Sequence, residues 1–191
     1  EYYHNHLLEI PYIWQGGMAI QGGIIFACIA AYFYLKKHQI PVLPFADTVT
    51  PGIILGQAIG RIANFMNGDA FGHPTGQDFG LLYPDTTLAY HTYGAQPLWP
   101  AEVWECQGDL LIFVLLLWYG CKTRAEGTTF CLYIMLSSLL RFFLENYRGD
   151  YGTLALGLKS AQLTSLAAFA GAFILFLYFH FKHKSKSGIS E

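Results

Sequence analysis

Arginine, asparagine and carboxylate side chains interrupt two otherwise apolar segments of this chain at helical spacing. In residues 60–72, the sequence Gly-Arg-Ile-Ala-Asn-Phe-Met-Asn-Gly-Asp-Ala-Phe-Gly places Arg61, Asn64 and Gly68 on one side of a helix. A charged side chain at mid-bilayer costs at least about 2.5–3.5 kcal/mol, so an arginine inside a membrane span is a functional-site candidate. Arg61 is therefore the first candidate residue.

A second polar stripe occupies residues 141–148. Arg141, Glu145 and Arg148 follow the spacing i, i+4, i+7, which aligns them on one helix face over about 10 Å. Guanidinium groups keep their charge and present a fork of donors that suits phosphate oxygens. If the two stripes face each other across a bundle, they form a cationic cleft for a phosphate-bearing ligand. Glu102, Glu105 and Asp109 would add carboxylates near it.

The elements that position these residues are predicted to be membrane-spanning helices. The chain has 191 residues, of which 53% are hydrophobic and 13% charged, against about 25% charged in soluble domains. Five apolar runs are long enough to approach or span a bilayer core of about 30 Å: 17–35, 46–66, 105–119, 128–144 and 158–181. We predict an all-α polytopic membrane helix bundle with one integral domain, 1–181, and a basic cytoplasmic tail, 182–191. The chain has no basic run outside that tail, which argues against nucleic-acid binding.

Charge also predicts orientation. Seven of the eleven Lys and Arg residues cluster after the first, third and fifth spans, so the positive-inside rule makes those ends cytoplasmic. Both polar stripes then lie toward the extracytoplasmic face. Residues 70–100, rich in Gly, Pro, Thr and Tyr, are predicted to form an ordered irregular loop or lid outside. Lys159 is predicted to be an interface anchor.

Several motifs resemble one known family. Residues 60–72 are similar to the signature segment of the bacterial prolipoprotein diacylglyceryl transferase family, and four further segments agree with it in order: 14–23, 100–105, 141–148 and 157–163. The resemblance covers nearly the whole chain and implies a seven-helix inner-membrane enzyme. We therefore expect that the first two helices of the family are missing from this sequence.

The resemblance implies transfer of a diacylglyceryl group from phosphatidylglycerol to the lipobox cysteine of prolipoproteins, with release of glycerol phosphate. Arg61 and Arg141 would stabilise the leaving phosphate, and Asp69 and Glu145 would accept a proton or orient the arginines. The expected substrate-binding residues are Asn64, Asn67, Gly72, Gln21, Glu105 and Arg148. No metal or organic cofactor is expected, and the expected partners are phosphatidylglycerol, signal peptides with a lipobox cysteine, and the lipid bilayer.

The chain departs from the family pattern at particular positions. Gln21 stands where the family usually has His, Asp69 where it has Glu, and Glu102 where it has Gln. These departures leave open a degenerate, non-catalytic relative that binds lipid. A transporter for an anionic solute would also explain buried arginines, but the inner half of the third span, residues 110–117, is apolar.

Overall fold

Helices occupy the five segments that the sequence predicts as membrane spans. The computed structural model describes residues 20–121, 125–149 and 158–187, with side chains for 22–121, 125–149 and 158–182. This part of the chain contains six α-helices: α1 Ile20–Lys37, α2 Val42–Asn67, α3 Leu88–Tyr93, α4 Ala101–Gly120, α5 Thr128–Leu144 and α6 Ser160–Ser187. A 3₁₀ turn, Glu145–Tyr147, continues α5, and the described residues form isolated β-bridges but no strand. The prediction of an all-α fold is confirmed.

The helix bounds differ from the prediction where polar residues flank an apolar run. α5 begins and ends at the predicted residues, Thr128 and Leu144. α4 begins at Ala101 rather than at residue 105, which brings Glu102 into its first turn. α6 continues to Ser187, beyond the predicted end at 181, so part of the predicted tail is helical.

Large apolar side chains cover the outside of several helices. Met66 is 76% exposed, Phe143 61% and Ile174 66%, although each lies on a long helix. Contiguous exposed apolar surface of this kind is what lipid contact requires. Among the described residues, three helical segments are long and apolar enough to cross a membrane: Val42–Asn67, Thr128–Tyr147 and Ser160–Lys182. The chain is a multi-pass membrane helix bundle, and crossings by α1 and α4 stay a prediction.

The chain divides into two compact units, residues 1–42 and 43–191. In the second unit, Ile54 of α2 packs with Ile112 and Leu116 of α4, and side chains of α5 close this core. α4 and α5 approach closely at Gly108, because a Cβ there would overlap the side chain of Leu140. The apolar core thus joins α2 and α5, which carry the polar stripes, to α4, which carries Glu102, Glu105 and Asp109.

A carboxylate near the start of α2 links that helix to the start of α5, away from the polar stripes. Asp47 accepts hydrogen bonds from the backbone N–H groups of Gly127, at 2.6 Å, and Phe130, at 2.9 Å. The first N–H groups of a helix have no partner within the helix, and they attract negative charge. Asp47 therefore fixes the start of α5 against α2.

The long connection between α2 and α4 is ordered and irregular, as predicted. Phe71, Ala89 and Leu98 form a small apolar cluster within it. The connection docks on the end of α5, where Gly72 pairs with Arg148 across a β-bridge and the His73 N–H donates to the Tyr147 carbonyl. The loop therefore reaches the segment that carries the second polar stripe.

Candidate functional site

Glu105 lies at the centre of an ion-pair cluster that joins α2, α4 and the end of α5. Its Oε2 is 2.9 Å from Arg61 Nε, and its Oε1 accepts a hydrogen bond of 2.6 Å from Arg141 Nη1. Arg148 Nη1 donates to Oε2 at 3.4 Å. One carboxylate thus holds three guanidinium groups from two distant parts of the sequence.

Glu145 is the second carboxylate of the cluster. Its Oε2 is 3.0 Å from Arg141 Nη2 and 3.9 Å from Arg148 Nε. Arg141 and Glu145 are four residues apart, and Arg148 follows in the backbone that the 3₁₀ turn redirects. Glu145 therefore contacts Arg141 and Arg148, which both also contact Glu105.

Exposure divides the three arginines. The side chains of Arg61 and Arg141 are each 27% exposed, whereas that of Arg148 is 5% exposed and those of Glu105 and Glu145 are at most 3%. Three guanidinium groups against two carboxylates leave one formal positive charge. Arg61 and Arg141 therefore present donors to a ligand while the buried carboxylates hold them in place, and the arrangement suits a phosphate group.

Two further acids of α4 lie beside the cluster. Glu102 is completely buried, and neither oxygen of its carboxyl group has a hydrogen-bond partner among the described residues. Arg148, Glu105 and Arg61 act on it electrostatically. Asp109, two turns further along α4, is also buried. The sequence suggested carboxylates near the cleft, but it did not predict that Glu105 would pair with all three arginines.

Among the described side chains, the other predicted site residues take no part in these ion pairs. Asn64 and Asp69 are partly buried and Asn67 is exposed, and their side chains make no hydrogen bond or ion pair within the described part of the chain. Gly72 is a packing position, because a Cβ there would overlap the backbone of Trp99. Gln21 lies in the first turn of α1, and its side chain is outside the described residues.

Comparisons with known proteins agree with the geometry. Residues 1–178 match the model of a family described as prolipoprotein diacylglyceryl transferase. Relatives named phosphatidylglycerol–prolipoprotein diacylglyceryl transferase include one from Geobacillus kaustophilus, 38% identical over 86% of this chain and 62% of its own length. Another, from Staphylococcus saprophyticus, is 38% identical over 86% of this chain and 60% of its own length. A third, from Clostridioides difficile, is 37% identical over all of this chain and 71% of its own length. The chain thus spans less than two thirds of the first two relatives.

Proposed function

Because this chain belongs to the prolipoprotein diacylglyceryl transferase family, we propose that it transfers diacylglyceryl from phosphatidylglycerol to a prolipoprotein. The acceptor is the thiol of the lipobox cysteine, and glycerol phosphate is released. The proposed location is the bacterial inner membrane, with the site near its extracytoplasmic face. The chain's apolar helix surfaces would admit the lipid's acyl chains from the bilayer.

The meeting of Arg61 and Arg141 on Glu105 carries this proposal. They come from separate helices, each contacts the same buried carboxylate within 2.9 Å, and each keeps 27% of its side chain exposed. A phosphodiester headgroup carries one negative charge, which the exposed parts of the two guanidinium groups can bind. Donors that are already held in position stabilise developing charge without the cost of reorganising.

The proposed chemistry is a displacement at carbon. The cysteine sulfur attacks the glyceryl carbon that bears the phosphate, the C–S bond forms, and the C–O bond to phosphate breaks. The leaving phosphate gains negative charge, and Arg61 and Arg141 stabilise it. The same positive charge favours the thiolate of the substrate over its thiol. The thiol proton passes to a carboxylate, for which Asp69, Glu105 and Glu145 are the proposed acceptors.

Residues near the same end of α2 are proposed to bind the rest of the substrates. Asn64 follows Arg61 by three residues, and Asn67 and Asp69 lie at or just beyond the end of the helix. We propose that these side chains, with Gln21 and the backbone of Gly72, position headgroup hydroxyls or the peptide. Arg148 acts through Glu105 and Glu145, since its own side chain is buried.

The test is a transfer assay with the protein in nanodiscs containing phosphatidylglycerol. A lipobox peptide is added, and mass spectrometry measures the diacylglyceryl gain on its cysteine. We expect Arg61→Ala and Arg141→Ala to lower the rate at least about a hundredfold, since loss of one preorganised donor costs about that much. Arg61→Lys should recover only part of the rate, because lysine keeps the charge without the fork.

Lys36→Ala is the control, because Lys36 is an exposed cation in the last turn of α1. It should transfer at the wild-type rate. Wild-type turnover in either arginine variant would remove that arginine from the mechanism. A wild-type protein that binds phosphatidylglycerol without any mass gain on the peptide would support the non-catalytic alternative instead.

A further inference from the structure

Lys159 lies immediately before α6 and turns its side chain inward, onto the segment that ends α5. Its Nζ donates to the backbone carbonyls of Glu145, at 2.8 Å, and Arg148, at 2.5 Å. The end of a helix carries partial negative charge, so an ammonium group beside the carbonyls there is favourable. The ammonium group of Lys159 thus has partners within the protein, and its place at the membrane interface stays a prediction.

Gln162 fixes Lys159 in this position. Its Oε1 accepts a hydrogen bond of 3.0 Å from the backbone N–H of Lys159, as the third residue of a helix does in a capping box. Its Nε2 donates to Asn146 Oδ1 at 3.1 Å, and its side chain is buried. Lys159 and Gln162, here called the α6 clamp, thus hold the start of α6 against the 3₁₀ turn.

The segment under the α6 clamp serves two parts of the molecule. Its side chains Glu145 and Arg148 belong to the ion-pair cluster around Glu105. Its backbone docks the long loop, because the Tyr147 carbonyl accepts from His73 N–H and the Gly149 N–H donates to the Phe71 carbonyl. A shift of the 3₁₀ turn would therefore move the cluster and the loop together.

We propose that Lys159 is a positioning residue for the anion site, acting through the backbone that carries Glu145 and Arg148. The expected effect of Lys159 on kcat rests on the proposed transfer function. Its effect on the docking of the loop does not. Within the described part of the chain, Lys159 Nζ contacts two main-chain carbonyls and no carboxylate, so it positions the cluster without neutralising a charge in it. Because misplacement of a catalytic group by 1 Å can cost a hundredfold in rate, this support matters for turnover.

The test compares Lys159→Met with Lys159→Arg in nanodiscs, and Lys182→Met is the matched control. Methionine keeps the apolar stem and removes the donors, whereas arginine keeps donors and charge. Lys182 is an exposed lysine of α6 whose ammonium group contacts Tyr178 alone among the described residues. The peptide assay gives kcat and KM. Hydrogen exchange at the amides of His73 and Gly149 reports docking of the loop, whether or not the protein transfers lipid.

Lys159→Met should lower kcat about tenfold to a hundredfold, with a smaller change in KM for phosphatidylglycerol. Exchange at the His73 and Gly149 amides should become at least about tenfold faster, since Lys159 no longer holds the segment 145–149, where these two hydrogen bonds join the loop. Lys159→Arg should recover most of both losses, and Lys182→Met should change neither. If Lys159→Met does not purify folded, Lys159→Gln, which keeps an N–H donor, carries the same comparison with a smaller loss.

Wild-type kcat together with wild-type exchange in Lys159→Met would overturn the proposal. So would a loss of kcat with wild-type exchange at the His73 and Gly149 amides, because the segment would then keep its position without Lys159. A wild-type protein with no transfer activity would sink the proposed function alone. The exchange rates would then still decide whether Lys159 holds the segment.

Discussion

Along the buried face of α4, the first half carries acids and the second half carries aliphatic side chains. Glu102, Glu105 and Asp109 are followed at the same three- and four-residue spacing by Ile112 and Leu116. All five are at most 6% exposed. One helix face thus has two regions with the same burial and opposite chemistry.

The two regions differ in what burial does for stability. Ile112 and Leu116 gain by leaving solvent or lipid for a packed core with Ile54. A buried carboxylate destabilises the fold unless cations and hydrogen bonds offset the cost of burying it. Even when it is paired, it seldom stabilises the fold more than a well-packed apolar side chain would. Stability therefore explains the apolar half, whereas the acidic half calls for a functional explanation.

α2 also has an uncharged buried half and a charged half, but in the reverse order along the chain. Its buried residues Thr50, Ile54 and Ala58 lead to Arg61, which meets Glu105. The cationic end of one helix therefore lies beside the acidic end of the other. A site results only because the two helices are antiparallel neighbours, which no local pattern in either helix specifies.

Of the substitutions in α4, removal of the central carboxylate should have the largest effect on stability and transfer. In Glu105→Gln, Arg61, Arg141 and Arg148 lose the charge that holds them together. Leaving buried charge uncompensated costs about 3–5 kcal/mol, so the free energy of unfolding should fall by about that amount. Transfer should fall at least about a hundredfold, because the two exposed arginines lose their position. Unfolding in mixed micelles and the peptide assay measure the two effects.

Glu126→Gln is the control for that substitution, because Glu126 is an exposed acid just before α5. It should stay within about 0.5 kcal/mol of wild type and transfer normally. A Glu105→Gln protein with normal transfer would mean that the arginines keep their position without the central carboxylate.

Truncating the apolar half should separate stability from activity. In Leu116→Ala, the completely buried side chain leaves a cavity beside Ile54 and Ile112, at a cost of about 2–5 kcal/mol. The ion-pair cluster lies on the other half of α4, so kcat should stay within about twofold of wild type where the protein is folded. Leu117→Ala is the matched control, since Leu117 is the next residue and is 46% exposed. Equal destabilisation by both substitutions would contradict the assignment of this core.

The sequence predicted the helices well and the contacts of the site in part. Apolar length located the spans, and helical spacing placed Arg141 and Glu145 on one face, where they pair. Pairing of Arg61 with Glu105 depends on how α2 and α4 pack, which spacing within one segment does not contain. Lys159 was assigned to the interface because lysines near span ends commonly lie there. Its Nζ contacts two backbone carbonyls, and a backbone partner of this kind cannot be identified from residue types.

We expect the smallest effect from a substitution at Glu102, in the acidic half of α4. Glu102 and Glu105 are both buried on one face of α4, but Glu105 holds three arginines and Glu102 has no hydrogen-bond partner in the described part of the chain. Glu102→Gln keeps the shape and removes the ionisable group, so the free energy of unfolding should rise by about 1 kcal/mol. Transfer should stay within about threefold of wild type, because Glu102 holds neither Arg61 nor Arg141. A tenfold loss of transfer with unchanged stability would instead place the Glu102 carboxyl group in the functional site. Glu102 and Glu105 would then both serve function, in contrast to the apolar half with Leu116.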